Sequence, residues 1–215
     1  MDRRKVLKNM GLAMGYTIAT PTLISLVQSC KTEPTITWAP EFFTMEQGSV
    51  LTKLVDIILP KTDTPSASEV QVDIFIDRFA DQVMENAQQD LFKMSMSKFI
   101  DKALVDSGKE KVEDLTPENL ELVLAATLKV TKEEQVMYIG KINNYNVALA
   151  DGKEASLEDG VSRFAFANNL RGMTIWGYKT SEYVGEEVLA YLPVPGEYVG
   201  CADLEELTGG KAWSL

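Results

Sequence analysis

Histidine occurs nowhere in the 215 residues. Its absence removes Ser-His-Asp and Cys-His nucleophile systems, the common zinc sites and the covalent haem motif with its axial His. Positive charge is scarce: 21 Lys and Arg stand against 32 Asp and Glu, a net charge of −11. That balance argues against nucleic acid, whose phosphates need neutralising by Lys and Arg, and against adsorption to anionic lipid headgroups. Runs of alternating strand residues are missing, as are internal repeats. The glycines form no Gly-x-Gly-x-x-Gly pattern after a strand, which excludes the usual dinucleotide fingerprint. Cysteine occurs twice, as Cys30 and Cys201. What remains, at 45% hydrophobic and 25% charged, has the composition of ordinary globular protein.

The amino end is the most distinctive part. Asp2-Arg3-Arg4-Lys5-Val6-Leu7-Lys8 precedes Met10 to Val27, a stretch without a charged residue. Arg3 and Arg4 head an expected twin-arginine export signal over residues 1–29, to be removed on export. A membrane anchor is the alternative for the uncharged run, but Gly11, Gly15, Thr17, Thr20, Pro21 and Thr22 make it only weakly apolar. The signal is +3, so the other 186 residues carry −14. Twin-arginine export carries proteins already folded, very often around a cofactor. No cofactor site is legible here, so the chain is expected to travel with a partner that holds one.

Leu26-Val27-Gln28-Ser29-Cys30 resembles a lipoprotein processing site, with an aliphatic residue three before the cysteine and a small one just before it. Lipidation of Cys30 would anchor the chain in the cell envelope, on the periplasmic side of a membrane. A disulfide between Cys30 and Cys201 is the competing fate, since export favours oxidation.

Residues 30–41, with Pro34 and Pro40, read as tether and linker, and 42–215 as one all-α domain. Thr44 with Gln47, Thr116-Pro117-Glu118, Thr131 with Glu134, and Ser156 with Asp159 read as helix starts. Apolar spacing marks helix faces at Leu51, Leu54, Val55 and Ile58, at Val72, Phe75, Ile76 and Phe79, and at Leu120, Val123, Leu124 and Leu128. From Tyr191 the texture changes. Leu192-Pro193-Val194-Pro195-Gly196 cannot be helical, so the carboxyl end is expected to be an extended arm rich in Pro and Tyr.

Few residues invite chemistry. Asp73, Asp77 and Asp81 lie four apart and share a helix stripe. Paired carboxylates can transfer protons or hold a hard cation, but a solvated helix face is the expectation. Cys201 has no base partner in view. Trp176, Tyr178, Tyr183, Tyr191 and Tyr198 crowd one region, where they could stack on a ligand, contact a partner or fill a core.

Ile58-Leu59-Pro60-Lys61-Thr62-Asp63-Thr64-Pro65, Phe75-Ile76-Asp77-Arg78, Leu170-Arg171-Gly172-Met173-Thr174, Gly177-Tyr178 and Tyr191 to Cys201 stand in an order and spacing that resemble the gluconate 2-dehydrogenase subunit 3 family, over about residues 45–204. The resemblance implies a small, non-catalytic subunit of a membrane-associated sugar or polyol dehydrogenase. Its large subunit is expected to be a flavoprotein of the glucose–methanol–choline type holding FAD, with a cytochrome c subunit passing electrons onward. The small subunit would carry the export signal and bring the folded flavoprotein across the membrane. Arg171, Trp176, Tyr178, Tyr183, Tyr191, Pro193, Pro195, Tyr198 and Cys201 are the residues expected to touch the partner. Two other readings stay open: a lipoprotein binding a sugar or other small ligand on its aromatic cluster, and an independent enzyme using Asp73 and Asp77.

Overall fold

A computed structural model describes residues 38–194, 196 and 201–214. The export signal with Arg3 and Arg4, Cys30 and its possible disulfide, Pro195 and Tyr198 lie outside these residues. The described residues form helices joined by short turns, with no strand among them, in agreement with the all-α reading. They comprise α1 (Met45–Ile58), α2 (Val72–Gln82), α3 (Asn86–Ser107), α4 (Pro117–Leu128), α5 (Lys132–Ala150), α6 (Asp159–Lys179) and the short α7 (Leu204–Thr208).

Local chemistry starts most of these helices. Thr44, Thr116 and Thr131 each accept a hydrogen bond from the backbone N–H three residues on, and the side-chain oxygens of Gln47, Asn119 and Glu134 accept one from the N–H of the cap residue. A fourth capping box pairs Glu85 with Gln88 at the start of α3. The start expected at Ser156 falls instead at Glu158, the residue before α6. Gly108 ends α3 at φ 65°, a left-handed conformation that costs glycine little.

Helix α6 is the axis of the domain, packed against α1, α2, α3, α4 and α5, most extensively against α3. Phe166 on α6 meets Phe92 and Phe99 of α3 at ring-centroid distances of 5.6 and 5.2 Å. Leu51, Leu54, Ile76, Met96, Leu120 and Leu170 fill the same core, each without solvent exposure. Helix α5 differs, because none of its nineteen residues is buried and it leans on α6 through pairs such as Tyr138 with Phe164. Its amides are therefore expected to exchange with deuterium well before those of α6, in a native-state exchange experiment.

The carboxyl end closes on itself. After a π-helical turn at Val184–Val188, Ala190 donates to the Ala212 carbonyl and accepts from Ser214 N–H, both at 2.9 Å. This single bridge pairs Ala190 with Trp213. Between its ends, Tyr191, Leu192, Pro193 and Val194 are exposed, and α7 interrupts the extended path. None of the helices among the described residues is long and apolar enough to cross a membrane.

Candidate functional site

The acidic stripe departs from its expected role. Asp81 is exposed, but Asp77 and Asp73 are buried, at 1% and 3% exposure. Asp77 accepts three consecutive backbone N–H groups, from Glu41 (2.7 Å), Phe42 (3.2 Å) and Phe43 (3.0 Å). Asp73 accepts from Thr52 Oγ1 (2.6 Å), Trp38 Nε1 (3.1 Å) and the N–H of Ile74 (3.0 Å). Helix periodicity correctly put both carboxylates on one face of α2. The incoming chain lies over that face, and its unpaired amides need acceptors. The acids thus fasten the segment from Trp38 onward to the domain, so residues 38–41 belong to the fold and not to a linker. Every carboxylate oxygen of the pair is engaged by chain donors, which makes them structural anchors. Among the described residues no group of three His, Cys, Asp or Glu is placed to hold a metal ion.

The most distinctive surface lies where α6 crosses α2. The Trp176 indole stands edge-on to Phe75 and Phe79, with centroids 5.1 and 5.3 Å apart and interplanar angles of 75° and 86°. In this three-ring shelf Trp176 is 44% exposed, Phe75 and Phe79 are half-buried, and Tyr183, in the lining of an open groove beside them, is 54% exposed. Phe75, Phe79, Ile74, Val83 and Tyr183 line that groove, with Arg78, Glu69 and Glu182 among its polar residues. Arg78 pairs with Glu41 at 3.5 Å, at the outer edge of α2. Opposite it, Lys61 and the N–H of Ser66 hydrogen-bond Glu69, holding its carboxyl below the usual range.

Gly177 lets the two helices approach here. A Cβ at this position would stand 2.6 Å from Cδ1 of Phe75 and 3.3 Å from Val72 Cγ1. Gly177→Ala is expected to destabilise the domain by about 1–2 kcal/mol in urea unfolding, because displacing the Phe75 ring outweighs alanine's better helix propensity. The hydroxyl of Tyr178 donates to the Pro65 carbonyl at 2.8 Å, tying α6 to the loop after α1. Tyr178→Phe should cost about 1 kcal/mol in the same assay.

The residues expected at a partner surface thus separate. Trp176 and Tyr183 are exposed around the shelf, whereas Tyr178 is half-buried and bonded internally. Arg171 is exposed and donates to Asn168 Oδ1 at 3.1 Å. Tyr191, Pro193 and Cys201 are exposed on the carboxyl-terminal segment. Phe75 and Phe79, which complete the shelf, were legible only as core positions, since their periodicity says which face is apolar and not what covers it.

The profile of gluconate 2-dehydrogenase subunit 3 matches residues 45–196, from the first residue of α1 through both sides of the shelf. The chain belongs to the gluconate 2-dehydrogenase subunit 3 family. No curated protein and no solved structure gives a match. As a subunit 3 protein the chain is one component of a dehydrogenase complex, so a dehydrogenase is its implied partner. In a member of this family the exposed indole of Trp176 beside Phe75 and Phe79 is the feature to explain, since exposed apolar patches commonly mark contact sites.

Proposed function

We propose that this chain is the non-catalytic small subunit of an FAD-dependent sugar or polyol dehydrogenase, which it binds, helps to mature and carries through twin-arginine export. The flavoprotein would be of the glucose–methanol–choline type, with FAD in that subunit and a cytochrome c subunit as a further partner. A lipid on Cys30 would then hold the assembly at the periplasmic face of a membrane. The observation that carries this reading is the exposed indole of Trp176 on the rings of Phe75 and Phe79, with exposed Tyr183 nearby, in a family of dehydrogenase subunits. Aromatic side chains bury large areas at low entropic cost and dominate interface energetics. The buried acids support it from the other side, because Asp73 and Asp77 are consumed in holding the fold together.

The test is a pull-down from native membranes through a carboxyl-terminal tag, with the visible spectrum of the eluate recorded. A co-purifying large subunit with a flavin spectrum is expected. A colourless, solitary chain, obtained also with the tag moved to an internal loop such as Asp151-Gly152, would remove the proposal.

A further inference from the structure

Behind the shelf lies a second groove, of about 650 Å³, between α3, α5 and α6. Its walls are Phe79, Leu91, Phe92, Ile142, Met173 and Trp176, and Phe79 lines both grooves. None of the fifteen lining residues is charged, although a quarter of the chain is. The polar groups of its lining side chains are the amides of Gln88, Asn146, Asn168 and Asn169, the indole N–H of Trp176 and one hydroxyl, that of Ser95.

Ser95 is the unusual member. It is 1% exposed, and its Oγ is buried without a hydrogen-bond partner. A helical serine normally satisfies itself on the carbonyl four residues back, as Ser97 does on Lys93 and Ser107 on Ala103. Ser95 does not, and an unsatisfied buried hydroxyl costs about 1–3 kcal/mol. Among the described residues the only other such group is that of Ser162, which lines neither groove. Size, apolar walls, few convergent polar groups and a place between helices are the ordinary attributes of a small-molecule site.

We infer that this groove binds an uncharged, ring-bearing small molecule, and that Ser95, which lines it with its Oγ closed to solvent, turns that hydroxyl to a hydrogen-bonding atom of the ligand on binding. The missing charge on the walls sets the selectivity. An ionised ligand would lose its hydration without gaining a counter-charge, whereas a neutral ring loses only unfavourable water contact. Aromatic edges at Phe79, Phe92 and Trp176 suit a flat ring, and the rim amides can meet its polar substituents. The inference does not depend on the accessory-subunit reading, because it concerns the purified chain alone.

A matched pair of fluorescent probes tests it: neutral N-phenylnaphthylamine and its sulfonate, anilinonaphthalene sulfonate, which add the same rings with and without a charge. Titrated against the full chain, the neutral probe should bind saturably, one per chain, and the sulfonate at least about tenfold more weakly. Ser95→Ala is expected to weaken the neutral probe about three- to tenfold. Asn146→Trp, at an exposed rim position that folding does not use, should abolish its binding by filling the groove. Unsaturable binding to the wild-type chain, or wild-type affinity in both variants, would overturn the assignment.

Discussion

Replacing Asp77 with alanine is expected to lower the unfolding free energy by about 3–5 kcal/mol, the largest loss from any single polar side chain in the domain. The carboxylate is the shared acceptor for the amides of Glu41, Phe42 and Phe43. Hydrogen bonds to a charged group are each stronger than neutral ones, and alanine offers the three donors nothing in return. The loss would spread through the rings those amides position. Phe42 and Phe43 meet edge to face at 4.8 Å, Phe43 packs on Phe92 at 5.5 Å, and Lys93 Nζ lies 4.0 Å above the Phe42 ring. Asp77→Asn keeps the shape and an acceptor oxygen while turning an NH₂ group toward donors, so about half the loss is expected. Thermal and urea melts of the two variants check this. At roughly 2–4 °C per kcal/mol, Asp77→Ala should melt about 6–20 °C below wild type. A shift under about 3 °C would mean that water replaces the carboxylate without difficulty, and that the segment from Trp38 is held by its rings alone.

That anchor also marks the limit of legibility. The helices were readable because their signals are local: a capping threonine needs only the residue three ahead, and an apolar face only its own spacing. The role of Asp77 is not local, since its donors lie 34 to 36 residues earlier, where the segment read as linker ends at Glu41 and the domain begins at Phe42. Spacing alone could not separate a carboxylate under a chain crossing from one in water. The shelf is a middle case. Trp176 and Tyr183 stood out as aromatics near one another, but Phe75 and Phe79 had the spacing of ordinary core residues, and only the crossing at Gly177 brings their rings beside the indole. Ser95 carried no signal at all. It stands in the mostly apolar stretch Leu91-Phe92-Lys93-Met94-Ser95-Met96, and what singles it out is a missing hydrogen bond, which exists only in three dimensions.

Trp176→Ala should weaken association with the dehydrogenase by about 30-fold or more, the loss of at least 2 kcal/mol typical of an aromatic anchor at an interface centre. The same change should cost the isolated domain only about 1 kcal/mol, because the indole is 44% exposed and its internal contacts are the two edge-on rings. Separation of these two numbers is the point of the experiment. Phe166→Ala, which empties a core position, should instead cost about 3–5 kcal/mol of stability and reduce association only through misfolding. Val105→Ala removes a side chain that is 77% exposed and lines neither groove, and should leave both quantities unchanged. Dissociation rates of the purified complex, set beside urea melts of the same variants, give both readings on one sample series. Trp176→Phe is expected to recover part of the affinity, since it restores an apolar ring but not its full area or its N–H. If Trp176→Ala releases the dehydrogenase no faster than Val105→Ala does, the shelf is not the contact, and the exposed apolar face of α5 around Val136, Met137 and Val147 becomes the next surface to test.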